Sequence, residues 1–258
     1  MVRSFLAGFL LTTLSFSAAS ALTVDTNPDA DAFVRSLDAT HNYGAAGADS
    51  VSGSAALNGS GQQMGLLDSV LRFSLGGTIS QFNSTFGVGG WTITGISLQL
   101  TEQAAPNNSI FNRGQGQFEI RWLNSDSLTE GTGTPMAPTT DGIVYNDESS
   151  ILNPGSDLSL GTFANAQMNT RQTFALPTTS SAFLADIQNG GEVELFLTAA
   201  SNSIGFTFNS KDFTTASARP VLEVTAAAVP EPSAIGLLGF GLIVLCLVRQ
   251  RWPFGRLH

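Results

Sequence analysis

Few residues in this chain could begin a reaction. Between its two apolar ends stands one histidine, His41, in the polar stretch DATHNYG, and no cysteine, because Cys246 lies in the C-terminal apolar run. A Ser-His-Asp triad would have to pass through His41, a thiol nucleophile is excluded, and no G-x-S-x-G elbow occurs. Three-histidine zinc chemistry lacks its ligands. Glu119 and Glu194 are carboxylates of the kind a glycosidase pairs, but each alternates with apolar residues along a strand, where an outward, solvated position accounts for it. The body is therefore expected not to be an enzyme.

Binding chemistry has more candidates. Asp25, Asn27, Asp29 and Asp31 occupy every second position of DTNPDAD, and oxygen ligands are what calcium takes. Ala30 stands where a calcium loop has its turn glycine and Ser36 where it has a bidentate glutamate. The stretch reads either as an acidic lead-in to the first strand or as a structural calcium site completed from a distant loop. Trp91, Tyr43 and Tyr145 are amphipathic aromatics on which a sugar ring could stack, Trp91 at the opening of a strand behind Gly89-Gly90. Trp122 alternates in phase with Phe118 and Ile120 and belongs with the core. Arg72 and Arg121 sit on strands among acidic neighbours, as internal ion pairs or as clamps on an acidic polysaccharide.

The elements that must position these residues are strands. Phe118, Ile120 and Trp122 alternate with Glu119 and Arg121, and Val193, Leu195 and Leu197 alternate with Glu194 and Thr198. A period of two marks half-buried strands. Further strands are predicted at 31–36, 67–75, 91–100, 171–176, 204–208 and 219–225, and one short helix at 181–188, capped by Ser180 and stopped near Gly190. With 18 Phe for a core and Gly/Ser/Asn/Pro-rich connections, these predict an all-β fold, an antiparallel β-sandwich of jelly-roll type, as one domain over 22–225. Setting aside both ends leaves 7 basic against 19 acidic residues, a surface that repels phosphate backbones, so no nucleic-acid partner is expected.

Both ends carry addresses. Arg3, the apolar stretch 5–16 and the small residues Ala19 and Ala21 form a secretory signal peptide over residues 1–21, cut by signal peptidase after Ala21. At the other end, 226–258, Pro230-Glu231-Pro232 precedes an apolar Gly-bearing run, 234–248, and a basic end at 249–258 that includes Arg249 and Arg251. The run predicts a single transmembrane helix, though at 1.5 Å per residue it spans roughly 23 Å of a hydrocarbon core about 30 Å thick. Triplet, run and basic end, in that order, resemble a PEP-CTERM sorting signal. The resemblance implies an exosortase-type membrane enzyme as partner, transient anchoring in the inner membrane of an exopolysaccharide-producing Gram-negative bacterium, and delivery to the envelope or beyond.

In the body, DAFVRS, Asn42-Tyr43-Gly44, VLRFSL, ITGISLQL and RPVLEVT occur in an order that resembles DNRLRE-type β-sandwich modules, some of which bind carbohydrate. The six-letter motif of that name is absent, and the Gly/Thr/Pro loop 129–141 departs from a compact module. The resemblance implies a body that binds or organises extracellular polysaccharide. The alternatives are a structural surface or biofilm matrix protein without a specific ligand and a polysaccharide-active enzyme.

Overall fold

The computed structural model describes residues 20–103 and 116–229, with Gly239 and Gly241. Residues Ala21–Ala227 form one compact unit; of the two chain ends, 1–20 and 228–258, only residues 20, 228, 229, 239 and 241 are described. The segment expected to be a signal peptide, up to Ala19, and nearly all of the run 234–248, expected to be a transmembrane helix, lie outside the described residues. Among the described residues no helix is long and apolar enough to cross a membrane.

In chain order the strands are β1 (Ala21–Thr26), β2 (Ala30–Arg35), β3 (Ala48–Ser52), β4 (Leu67–Ser74), β5 (Trp91–Thr101), β6 (Gln117–Leu123), β7 (Leu158–Ala164), β8 (Arg171–Leu176), β9 (Glu192–Ala199), β10 (Gly205–Asn209) and β11 (Val221–Ala228). Helices α1 (Gly76–Phe86), α2 (Glu148–Ile151) and α3 (Ser181–Asn189) punctuate them. Two antiparallel sheets result, one of order β1-β11-β5-β8 and a larger one of order β10-β3-β4-β9-β6-β7, with β2 added to β4.

The period-two pattern decides which side chains lie between the sheets. Phe118, Ile120 and Trp122 of β6 meet Leu98 and Leu100 of β5, Phe174 of β8, and Leu222 and Val224 of β11 in one apolar core. Phe118 is its hub, with ring centroids 5.2 Å from Phe174, 5.4 Å from Phe208 and 6.1 Å from Phe206. The helices close gaps in this core with Phe82 of α1 and with Phe183 and Ile187 of α3.

α3 forms where its caps predict. The Ser180 hydroxyl accepts the Phe183 N–H, and Gly190 ends the helix at φ 69°, the left-handed conformation for which glycine carries no steric cost. α1 was not predicted, because its Gly-Gly start and its Ser, Thr and Asn residues read as loop; tertiary burial of Phe82 and Thr78 fixes it instead. Strands β1, β3 and β7 also escape the pattern. β3, ADSVS, offers one apolar side chain to the core, Val51.

The larger sheet is covered on both faces. Residues 124–152 fold across its outer side and bury Leu128 and Ile143 against Ala30, Ala32, Val34, Val70 and Phe196. This corrects the half-buried reading of β9. Glu194, expected to be solvated, is 1% exposed, and its carboxylate accepts the Leu128 N–H at 2.7 Å. At the C-terminal edge β11 runs three residues beyond the expected 225, because Ala226 continues the buried alternation and residue 227 pairs with Ala21.

Candidate functional site

A cluster of charged groups lies where β2, β3 and two loops meet. On β2, Ala30, Ala32 and Val34 face residues 124–152, so Asp31 points to the opposite side, in register with Leu71 of β4. Asp49 of β3 sits opposite Phe208 of β10. Both acids are buried, Asp31 at 1% and Asp49 at 0% exposure. Glu130, from the covering segment, and Asp212, following β10, complete the group: one oxygen each of Asp31, Glu130 and Asp212 lies within 4.8 Å of the others.

One cation, Lys211, stands among these acids. Its Nζ is 2.7 Å from Glu130 and 3.1 Å from Asp212, while its backbone N–H donates to Asp31 Oδ2 at 2.5 Å. Asp31 Oδ1 and both oxygens of Asp49 have no hydrogen-bond partner. Burial raises the Asp31 carboxyl to about 7 and pushes Asp49 well above the usual carboxylate range, with Asp31, Glu130 and Asp212 adding like charge around Asp49. Burial raises Glu130 as well. For Lys211 burial works downward, but hydrogen bonds to Glu130 and Asp212 leave its pKa above the ordinary value. An all-oxygen group of this kind suits a hard cation.

Glu130 is positioned by Asn42, which is buried and fully bonded. The Asn42 amide donates to the carbonyls of Glu130 at 2.7 Å and Ile143 at 2.8 Å, and its carbonyl accepts the N–H groups of Gly44 at 3.0 Å and Gly133 at 3.2 Å. Its backbone N–H reaches Thr139. Gly44 must be glycine here, because a Cβ would lie 2.0 Å from the Glu130 carbonyl oxygen. Asn-Tyr-Gly thus ties the 124–152 segment to the sandwich.

The other calcium candidates do not join Asp31. Asp25 is exposed on β1, which belongs to the smaller sheet, opposite Glu223. Asn27 donates to the Pro220 carbonyl, and Asp29 pairs with Arg72 at 3.1 Å. Alternation along the sequence is broken by the turn between β1 and β2, which sends the two strands to different sheets.

The aromatic candidates are each engaged. Tyr43 is 5% exposed, stacked on Phe33 at 4.7 Å with an interplanar angle of 1°, and its hydroxyl donates to Asp38. Trp91 packs on Phe82 at 5.1 Å and donates from Nε1 to Asn83 at 2.9 Å. Tyr145 is half-buried against the outer-face cluster. Trp122 is core, as predicted, with Nε1 donating to Asp186 at 2.7 Å. Among the described residues the exposed large apolar side chains are Leu37, Leu57, Val88, Met136, Met168 and Val229, none of them aromatic.

The remaining polar candidates form local pairs. His41 Nδ1 lies 2.5 Å from Asp38, and Arg121 pairs with Glu119 at 3.2 Å. Residues 124–152 carry two shallow depressions. One, of about 470 Å³, is lined by hydroxyls and carboxylates including Ser127, Thr129, Thr140, Asp141, Asp147 and Ser150. The other, of about 400 Å³, holds Tyr145 and Glu148. Burial, then the neighbouring Asp68, raises Glu148 to about 7, and burial raises Asp68 to about 6.

Beyond the body, residues 228–251 match the PEP-CTERM protein-sorting motif. The chain is an exported, exosortase-sorted protein. The match takes in Pro230, Glu231, Pro232, Arg249 and Arg251, all outside the described residues, and begins at Ala228, the last residue of β11. A cut at the PEP triplet therefore leaves β11 whole. Likewise, Ala21 opens β1, so cleavage after it leaves residues 22–26 paired with β11. No curated protein matches the chain. The PEP-CTERM match covers the tail alone.

Proposed function

We propose that the sorted protein is a structural, non-catalytic component of the cell surface or extracellular matrix, its body a jelly-roll-type sandwich with no dedicated glycan platform. One observation carries this reading: Trp91, Tyr43 and Tyr145, the rings best suited to stack on a sugar, are engaged by protein partners. Tyr43, buried and stacked on Phe33, has no open face for a pyranose, and Trp91 is held by Phe82 and by its Nε1 bond to Asn83. The paired states of His41, Glu119 and Arg121 likewise support a body without a catalytic set.

A second reading, that the body binds or organises extracellular polysaccharide, is favoured by the depressions on residues 124–152. Their hydroxyls and carboxylates could meet sugar hydroxyls, and Tyr145 borders one of them. Such open sites give only a few contacts and weak affinity per site. Retention of the purified full chain on immobilised exopolysaccharides separates the two. The structural reading expects no saturable binding; saturable binding that Tyr145→Ala abolishes without unfolding the protein would replace it with the second, and release of reducing ends would overturn both.

A further inference from the structure

We propose that Asp31, Glu130 and Asp212, with the buried Asp49 nearby, form a calcium site that clamps β2 to the loop carrying Glu130 and the turn after β10.

The first ground is geometric. Oxygens bound to one calcium ion at about 2.3–2.6 Å can be no more than about 5 Å apart. The oxygens of Asp31, Glu130 and Asp212 already meet that limit, lying within 4.8 Å of one another. The second ground is independent of the cluster's shape. Asp31 Oδ1 and both Asp49 oxygens are buried polar atoms without a partner, in side chains 1% and 0% exposed. Native proteins pair such atoms, and an unpaired buried carboxylate is costly unless a cation or a proton compensates it.

Lys211 does not supply that compensation. Its ammonium is held by Glu130 and Asp212 on the more exposed side of the cluster, while the inner oxygens of Asp31 and Asp49 are left unbonded. One ammonium also faces four carboxylates. A calcium ion seated among Asp31, Glu130 and Asp212 would also compensate the charge of Asp49 behind them, and the flexible lysine stem would let the ammonium turn away. Three carboxylates, each able to bind through one or both oxygens, can supply up to six of the six to eight ligands calcium takes; magnesium demands a tighter octahedron and keeps its waters, which the buried Asp31 does not favour. Export places the site where calcium is plentiful and where modules of moderate affinity suffice.

Sequence spacing could not suggest this set. Asp31 lies on β2, Glu130 in the covering segment 124–152, and Asp212 follows β10. Asp31 alone was legible as a calcium candidate.

The test uses the full chain in detergent, stripped with chelator and then titrated with calcium or magnesium while its melting temperature and heat of binding are followed. Calcium should raise the melting temperature saturably, and magnesium at the same concentration should do markedly less. Asp31→Asn should weaken calcium binding by on the order of tenfold or more, since it removes one charged ligand. In chelator it should melt no lower than the parent, because it also removes an unpaired buried charge; this separates loss of a ligand from misfolding. Lys211→Met should tighten calcium binding, and Asp29→Asn, which lies outside the group, should leave it unchanged. A melting temperature that is the same in calcium and chelator overturns the proposal, as does a calcium affinity that Asp31→Asn leaves unchanged.

Discussion

Replacing Asn42 with alanine tests whether one buried amide fastens the outer covering of the sandwich. The substitution removes four hydrogen bonds: two donated to the carbonyls of Glu130 and Ile143, and two accepted from Gly44 and Gly133. Asn42 is fully buried, so the four backbone groups lose their partner in a place water reaches poorly. Each unsatisfied buried group costs about 1–3 kcal/mol, and a water entering the vacated space recovers part of the total, which leaves about 4 kcal/mol. For a unit of about 200 residues that is a fall in melting temperature on the order of 8–16 °C. Scanning calorimetry or a urea midpoint on the full chain in detergent measures it. Asn42→Asp should be at least as harmful, because it sets an oxygen against two carbonyl oxygens. Hydrogen exchange adds a local readout: amides of Ile143 and Gly133 should lose protection before those of β6 and β9. A loss below about 2 °C for Asn42→Ala, with unchanged exchange, would refute the claim that this amide carries the covering segment.

Stability should also depend on pH. Burial raises the carboxyls of Asp31, Glu148 and Glu194 to about 7 and that of Asp68 to about 6, so the folded chain holds protons that the unfolded chain releases. The resulting stability is complete below the unfolded carboxylate range and is lost as pH rises through 6 to 7; in chelator the urea midpoint should be higher near about pH 5 than near about pH 8, and the opposite trend would contradict the burial of these groups. Phe118→Ala, at the hub of the aromatic core, should cost about 3–5 kcal/mol by chemical denaturation, and a cost under about 1 kcal/mol would show that the core collapses around it. Glu231→Ala should leave signal-peptide removal intact but hold the protein at its longer length in the inner membrane; mass spectrometry of the exported form that finds an intact end at His258 would make the tail an ordinary anchor.

Several features could be read along the chain because their causes are local. The strands at β2, β4, β5, β6, β8, β9, β10 and β11 follow from alternating apolar residues, α3 from Ser180 and Gly190 at its ends, and the sorting motif from a triplet, an apolar run and arginines in fixed order. What the tertiary structure decided depends on partners far off in sequence. Trp91 and Tyr43 have the chemistry of sugar platforms, but the neighbours that engage them, Phe82 and Phe33, lie on other elements. Glu194 alternates like a solvated strand residue, and only the fold of 124–152 across the larger sheet removes it from water. The acidic stretch DTNPDAD shows the limit most plainly. Neighbours two apart on one strand lie about 7 Å from each other, and the turn after β1 then divides the stretch between two sheets. Asp31 is brought instead to Asp49, Glu130 and Asp212, because charge acts through space at a few ångströms, and which charges come that close is settled by strand pairing and loop closure.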